Sequence, residues 1–323
     1  MSDGRHRTGV EERPGPAARP GPAPDGPATP VLEETAWRAR QVAHRERVRA
    51  WSGPHRARAA RGETHPVYDF LWHYYSVRPA VLERWHPGAG VTLTGPDAYS
   101  FLRYSGYVAT AKGVAADART LSRSRLDSVR WIASLLRGCT GRPPVFSCFG
   151  LHEWAMVYRT DAIRHATTAL RFPPDEIARI VESLPVRCSH FDAFRFFTAA
   201  ARPLNRLQPA KETRLELDER GCLHVNMDLY KWAVKLLPFA PSELVADCFE
   251  LALAARELDM RASPYDVRHL GFEAVRIETT EGRAEYEREQ RALAARAEPL
   301  RGRLLETCTR VVGMAENNCG DAG

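Results

Sequence analysis

The sequence predicts a mainly α-helical fold, with a single helical domain, a small β element and a disordered N-terminal tail. Apolar residues recur at helical intervals through most of the chain, and prolines, glycines and capping residues separate these stretches. Strand-like patterns are confined to residues 90–104 and 275–278. We assign residues 1–32 to the tail, 33–316 to the domain and 317–323 to a frayed C-terminal tail.

The tail and the first predicted helix differ in composition. Residues 1–32 are rich in Pro, Gly, Ala and Arg and hold too little apolar surface to offset the entropy of ordering. Residues 33–61 then follow a helical pattern. Between residues 38 and 61 there are eight arginines and one glutamate, a net +7, whereas the whole chain carries +6. Attraction to a polyanion is therefore concentrated on this helix, either as a phosphate-tracking helix or as a solvated one. The expected phosphate contacts are Arg45, Arg47 and Arg49.

An aromatic segment, residues 65–87, should form two short helices that are broken before Pro79. Aromatic rings here and near residue 152 could stack on an unpaired base. Their helical spacing also suits packing in a core. The stacking candidates are Trp72, Tyr75 and Trp154.

The remaining elements are predicted from their caps and periodicity. A helix should open at Ser189, where Ser189-x-x-Asp192 is a capping pattern, and the polar stretch from Lys211 to Arg220 should be a surface loop or an edge hairpin. Further helices are expected at residues 125–137, 173–185, 226–237, 243–260 and 281–314.

The stretch from Cys222 to Asp266 places ionisable residues on apolar helices. Asp228 and Lys231 lie three residues apart in one helix, and Asp259 flanks the apolar stripe of the next. Because an isolated buried charge is very costly, such groups must pair or serve chemistry. If the role is structural, we expect Asp228 to pair with Lys231, and Asp259 with Arg261.

Other histidines and carboxylates lie nearby in the sequence, and none belongs to a motif whose spacing identifies a reaction. The chain has no Walker A loop, G-x-S-x-G elbow, H-E-x-x-H pair or Rossmann fingerprint. One hypothesis is a carboxylate that stabilises a cationic sugar; the other is a metal-dependent helical enzyme acting on a small molecule through histidines and carboxylates. We predict no metal and no cofactor. The candidate catalytic residues are Asp228, Asp259, Lys231, Arg261, His152, Glu153, His190 and Asp192.

The seven cysteines are widely spread and include no C-x-x-C pair, which argues against a disulfide framework and a cysteine-ligated zinc site. Most are expected to be small buried hydrophobes. No apolar run approaches the length of a membrane span, and the N-terminus lacks the apolar region of a signal peptide. We therefore expect a cytoplasmic protein with no membrane partner. A monomer is a separate expectation.

Several blocks resemble one family. They include HPVYDFLWHYYSVRP, RWHPG, FGLHEWAMVYR, RCSHFDAFRFFT, HVNMDLYKW and RELDMRASPYD. Across about residues 33–300 the chain resembles actinobacterial proteins that carry the label 3-methyladenine DNA glycosylase. The resemblance implies DNA with a damaged base as the partner, and hydrolytic excision of an alkylated purine as the activity.

Overall fold

The computed structural model describes residues 30–161, 163 and 168–316, and its architecture is mainly α-helical, as predicted. Most of the expected N-terminal tail and the last seven residues lie outside the described residues. Of the tail, Val31–Leu32 form a strand. The helices are α1 (Glu34–Ala60), α2 (Phe70–Tyr74), α3 (Pro79–Leu82), α4 (Arg123–Thr140), α5 (Leu151–Ala155), α6 (Pro174–Ser183), α7 (Phe191–Phe194), α8 (Arg214–Leu217), α9 (Leu223–Lys235), α10 (Ser242–Arg261) and α11 (Thr280–Glu316).

The centre of the molecule is formed by α9, α10 and α11, and α4 packs against α11. Ten of the 13 residues of α9 and 13 of the 20 residues of α10 are buried. These helices are therefore covered on more than the single apolar face that their sequences show. Because α9 and α10 are enclosed in this way, several of their polar residues are buried in the core.

A small sheet lies beside the first helix. Its strands are β1 (Val31–Leu32), β2 (Thr92–Leu93), β3 (Tyr107–Thr110) and β4 (Gly113–Ala116), in the order β1-β2-β4-β3. β1 runs parallel to β2, and the other pairs are antiparallel. The prediction of strand near residues 90–104 is met by β2, and the hairpin β3–β4 was not foreseen.

The strand predicted at residues 275–278 is wrong. The structure has no strand there; instead the Val275 N–H donates to the Arg261 carbonyl and fixes a connection between α10 and α11. Val275 and Ile277 are completely buried, so the alternating apolar pattern reflects packing of an irregular segment.

Two other local predictions need correction. α4 begins two residues earlier than expected, with Ser122 accepting a hydrogen bond from the Arg125 N–H. The segment expected to be a surface loop or hairpin contains α8, whose Arg214 is buried.

No helix within the described residues is long and apolar enough to cross a membrane.

Candidate functional site

The first buried polar cluster surrounds Asp228 of α9, whose side chain is 1% exposed. Arg214 of α8 donates to Asp228 Oδ2 at 2.8 Å, and His190 Nε2 lies 3.2 Å from the same oxygen. Lys231 Nζ lies 3.6 Å from Asp228 and donates to Asp192 Oδ2 at 2.7 Å. Lys231 and Asp192 are partly exposed, so they form the edge of the Asp228 cluster that reaches solvent.

Asp228 is ionised despite its burial. Burial alone would raise the pKa of this carboxyl, but the hydrogen bond from His190 and the charges of Lys231 and Arg214 hold the pKa well below its usual range. The Tyr75 hydroxyl donates to the other oxygen, Oδ1, at 3.1 Å. Donors therefore contact both oxygens and fix the plane of the carboxylate.

The capping role considered for Asp192 is not observed. His190 is the residue before α7, and no side-chain hydrogen bond caps this short helix. The carboxylate of Asp192 instead contacts Lys231 and lies 3.4 Å from Arg214. Lys231 holds the pKa of Asp192 below its usual range, against the opposing effect of burial. Asp192 is thus a member of the Asp228 cluster.

The second buried cluster surrounds Asp259 of α10, which is fully buried. His152 Nε2 lies 2.5 Å from Asp259 Oδ1, and Arg256 Nη1 donates to Oδ2 at 2.7 Å. Arg256 also donates to Glu153 at 2.8 Å. His152 and Glu153, the two polar residues of α5, are therefore held against α10 by Asp259 and Arg256.

The expected ion pair between Asp259 and Arg261 does not form. Arg261 turns toward α11, where it donates to Glu289 at 2.8 Å and lies 3.3 Å from Glu285. Helix geometry explains the difference, because a residue two positions away lies about 200° around the helix. Arg256, three positions before Asp259, lies on the same face and becomes the partner.

His152 and Asp259 form an imidazolium–carboxylate pair. Burial alone would lower the pKa of His152, but Asp259 and Cys148 raise it well above the usual value. Burial would likewise raise the pKa of Asp259, and the charges of His152 and Arg256 hold it low. Both charges are consequently retained in a buried setting where each stabilises the other.

His224 connects the two clusters. Its ring centroid lies 4.5 Å from that of His152 and 5.5 Å from that of His190, on which it stacks. Burial and the charge of His152 lower the pKa of His224 to about 3. A neutral imidazole therefore separates the two sets of charges.

His152 and His224 also line a narrow pocket. Its volume is ≈ 10 Å³, which leaves room for about one water molecule. Glu219 lines the pocket, and burial raises the pKa of its carboxyl to about 7 against the opposing hydrogen bond from Val145 N–H. A purine base does not fit this space. The pocket also contains three cysteines, Cys148, Cys188 and Cys222.

A basic groove of ≈ 310 Å³ lies between α1 and the 3₁₀ helix Pro96–Arg103. Four exposed arginines line it, and no carboxylate in the described residues pairs with any of them. The acid among the lining residues, Glu83, is bound by Arg56 at 2.6 Å. The groove therefore has excess positive charge beside the ring of Tyr104. Its arginines are Arg45, Arg49, Arg84 and Arg103.

Arg47 has a different environment from the two arginines beside it in the sequence. It donates to Asp247 at 2.8 Å and to Glu250 at 2.6 Å on α10. Two carboxylates thus neutralise its charge and tie α1 to α10. Of the three predicted phosphate contacts, Arg45 and Arg49 lie in the basic groove, and Arg47 does not.

Two of the three predicted stacking residues lie in the core. Trp154 is completely buried, and its Nε1 donates to the Ala262 carbonyl at 2.8 Å. Trp72 is 5% exposed and packs on Phe249 with ring centroids 4.8 Å apart. Tyr75 contacts the Asp228 cluster through its hydroxyl.

Two groups of side chains have donor atoms close enough to hold a metal ion. In each, a carboxylate oxygen already accepts a hydrogen bond from an arginine, Arg256 or Arg214, that stays protonated. The protonated His152 would also have to lose its proton to act as a ligand. The carboxylates of both groups are therefore better suited to pairing with arginine and histidine side chains than to binding a metal ion. The groups are His152, His224 and Asp259, and His190, Asp192 and Asp228.

Sequence reasoning missed three members of the site. Arg256 precedes Asp259 by three residues, a spacing from which their contact could have been inferred. Arg214 contacts Asp218 across four residues at 2.8 Å, but the segment was not recognised as helical. Cys148 was not singled out among the cysteines, although it precedes His152 by four residues.

Compared with protein-family models, curated proteins and solved structures, the chain matches none.

Proposed function

We propose that the protein hydrolyses the N-glycosidic bond of an alkylated purine, such as 3-methyladenine, in DNA. The observation that carries this proposal is the ionised carboxylate of Asp228, held by Arg214 in a cluster whose edge reaches solvent. The sequence blocks described above supply the substrate class, because they resemble proteins labelled as 3-methyladenine DNA glycosylases.

The chemistry requires a negative charge that is already in place. When the bond between sugar C1′ and the purine nitrogen breaks, its electron pair leaves with the base and neutralises the positive charge of the alkylated ring. The sugar then develops oxocarbenium character, which an ionised carboxylate stabilises. Water adds to C1′, and its proton passes to solvent. Asp228 is suited to this role because its donors orient it before the substrate arrives.

Asp228 is a better candidate than Asp259. The partners of Asp259, His152 and Arg256, have side chains that are 2% and 0% exposed, so this carboxylate is enclosed. Lys231, beside Asp228, is 25% exposed. Lys231 and Asp192 therefore connect the Asp228 cluster to solvent, whereas His152 and Arg256 leave Asp259 enclosed.

The basic groove supports DNA as the partner. A duplex with one base turned outward needs contacts to the phosphates on either side of the extruded nucleotide. Arg45 and Arg49 lie one helical turn apart on α1, and Arg84 adds a third charge at the same groove. These side chains are available because no described carboxylate pairs with them.

The test is release of free 3-methyladenine from methylated duplex DNA by the wild-type protein and by Asp228→Asn. A matched control is Asp218→Asn, because Asp218 is also buried and also accepts from Arg214 at 2.8 Å. Loss of release in Asp228→Asn alone supports the proposal, and no release by the wild-type protein refutes it.

A further inference from the structure

Three side chains outside the Asp228 cluster are arranged as a nucleophile, a base and an orienting acid. Cys148 Sγ lies 3.3 Å from His152 Nδ1, and the other ring nitrogen, Nε2, lies 2.5 Å from Asp259 Oδ1. A thiol, an imidazole and a carboxylate in this order are the arrangement that activates a nucleophile for covalent catalysis. Arg256 holds the far oxygen of Asp259, so the carboxylate cannot turn away.

The backbone between Cys148 and His152 is shaped to bring them together. Phe149 and Gly150 have positive φ angles of 48° and 71°, and α5 begins immediately afterwards. This turn places the thiol against the side chain four residues later. A positive φ in phenylalanine is unfavourable, and such residues concentrate at functional sites.

The thiol of Cys148 is also placed where a reactant can reach it. Among the described cysteines, Cys148 is the partly exposed one, and the other five are buried. It lines the narrow pocket together with Arg187, whose side chain is 31% exposed. The Tyr286 hydroxyl is buried in the same wall near the Gly150 N–H, and it donates to no acceptor within the described residues. A polar atom in the pocket would satisfy that hydroxyl.

We propose that Cys148 is the nucleophile of a second activity, the transfer of a small acyl group from an activated ester or thioester. The thiolate form of Cys148, beside the protonated His152, forms a bond to the carbonyl carbon. The carbonyl re-forms as the bond to the leaving group breaks, and His152 gives its Nδ1 proton to that group. Water then attacks the Cys148 thioester, gives one proton to the now neutral His152, and releases the carboxylic acid and the Cys148 thiolate.

The size of the pocket limits the substrate. With a volume of ≈ 10 Å³ beside the thiol, it accepts a group about as large as an acetyl methyl. The leaving group must remain outside, toward the partly exposed Arg187, which would favour an anionic one. This activity does not depend on Asp228 or on DNA.

The test uses 4-nitrophenyl acetate as the probe with the full chain. We expect rapid release of one equivalent of 4-nitrophenolate and one acetyl group on Cys148, located by peptide mass spectrometry. The rate should exceed that of N-acetylcysteine at the same pH by about 10²-fold, the usual effect of a positioned base. Cys148→Ser should lose the burst. Cys188→Ser, which changes a buried cysteine of the same pocket, should retain it.

Asp259 is a positioning residue in this scheme. In Asp259→Asn the acetylation rate should fall and its pH profile should move to higher pH, because the imidazolium beside the thiol loses its counter-ion. A change that only loosened the fold would leave the midpoint of that profile in place. Acetylation spread over several cysteines, or a Cys148 rate no greater than that of N-acetylcysteine, would overturn the proposal even if Asp259→Asn did not fold.

Discussion

Arg214 donates to Asp228 across 2.8 Å at the centre of the molecule, although the two residues belong to different helices, α8 and α9. Burial leaves the Arg214 side chain 6% exposed and the Asp228 side chain 1% exposed. Each charge depends on the other, because removing either one leaves a buried ion without compensation. Stability and the proposed chemistry therefore share one contact.

Replacing Arg214 by methionine should destabilise the protein strongly. Asp228 and Asp218 would both lose a guanidinium partner, and the expected cost is about 3–5 kcal/mol in the free energy of unfolding. Urea denaturation measures this change. Arg268→Met is the control, since its side chain is 71% exposed and pairs with Asp266, so little change is expected. Equal losses in the free energy of unfolding would show that the buried Arg214 contacts stabilise the protein no more than a surface ion pair does.

Glu219→Gln should change how stability depends on pH. The folded-state pKa of about 7 exceeds the ordinary value of 4.5, so the folded protein keeps a proton that the unfolded chain loses. This contribution is fully present below pH 4.5 and is lost as pH rises to about 7. The variant should lack this pH-dependent loss. Its free energy of unfolding at alkaline pH should therefore exceed that of the wild type by about 3 kcal/mol. The glutamine oxygen can still accept from Val145 N–H. Parallel stability curves from pH 4 to 8 would contradict the raised pKa.

DNA binding should depend on Arg45 and Arg49 and not on Arg47. The double variant Arg45→Ala/Arg49→Ala should flatten the log–log salt dependence of affinity by up to about two units, one for each phosphate that it no longer binds. Arg47→Ala is the matched control, because Asp247 and Glu250 already neutralise Arg47. Fluorescence anisotropy with a short duplex at several salt concentrations gives both slopes. The same slope in all three proteins would remove the basic groove from the DNA interface.

The purified protein should not hold stoichiometric metal. Arg256 and Arg214 occupy carboxylate oxygens that a metal would need, and both remain protonated at any accessible pH. Elemental analysis after purification without chelators or added metals is the measurement. One or two iron, manganese or zinc ions per chain, lost in His190→Ala, would instead favour a metal-dependent enzyme acting on a small molecule.

Much of the fold could be predicted because the long helices carry their own signals. The apolar spacing of α1, α6, α10 and α11 is a local signal, and the structure agrees with the predicted segments. The strands β3 and β4 and the helix α8 were missed for the opposite reason. They are four residues each, which is too short for a periodic pattern.

The site could be predicted only in part. The acids of α9 and α10 were found because their apolar surroundings make an ionised group conspicuous. Their partners were harder to identify, since His190 reaches Asp228 from 38 residues away and His152 reaches Asp259 from 107. Cys148 carried no signal of its own. The role proposed for it rests on the position of the thiol beside His152, which depends on the turn at Phe149 and Gly150.

The central claim is tested most directly by quantifying free 3-methyladenine released from methylated duplex DNA. Wild-type protein should release it, and Asp228→Asn should lower the rate by orders of magnitude with little change in DNA affinity, because the variant removes charge and retains shape. Asp218→Asn should stay close to the wild-type rate, and all three proteins are to be assayed below their melting temperatures. Equal rates in Asp228→Asn and the wild type, or no release by the wild type where a known glycosylase releases the base, would contradict the account.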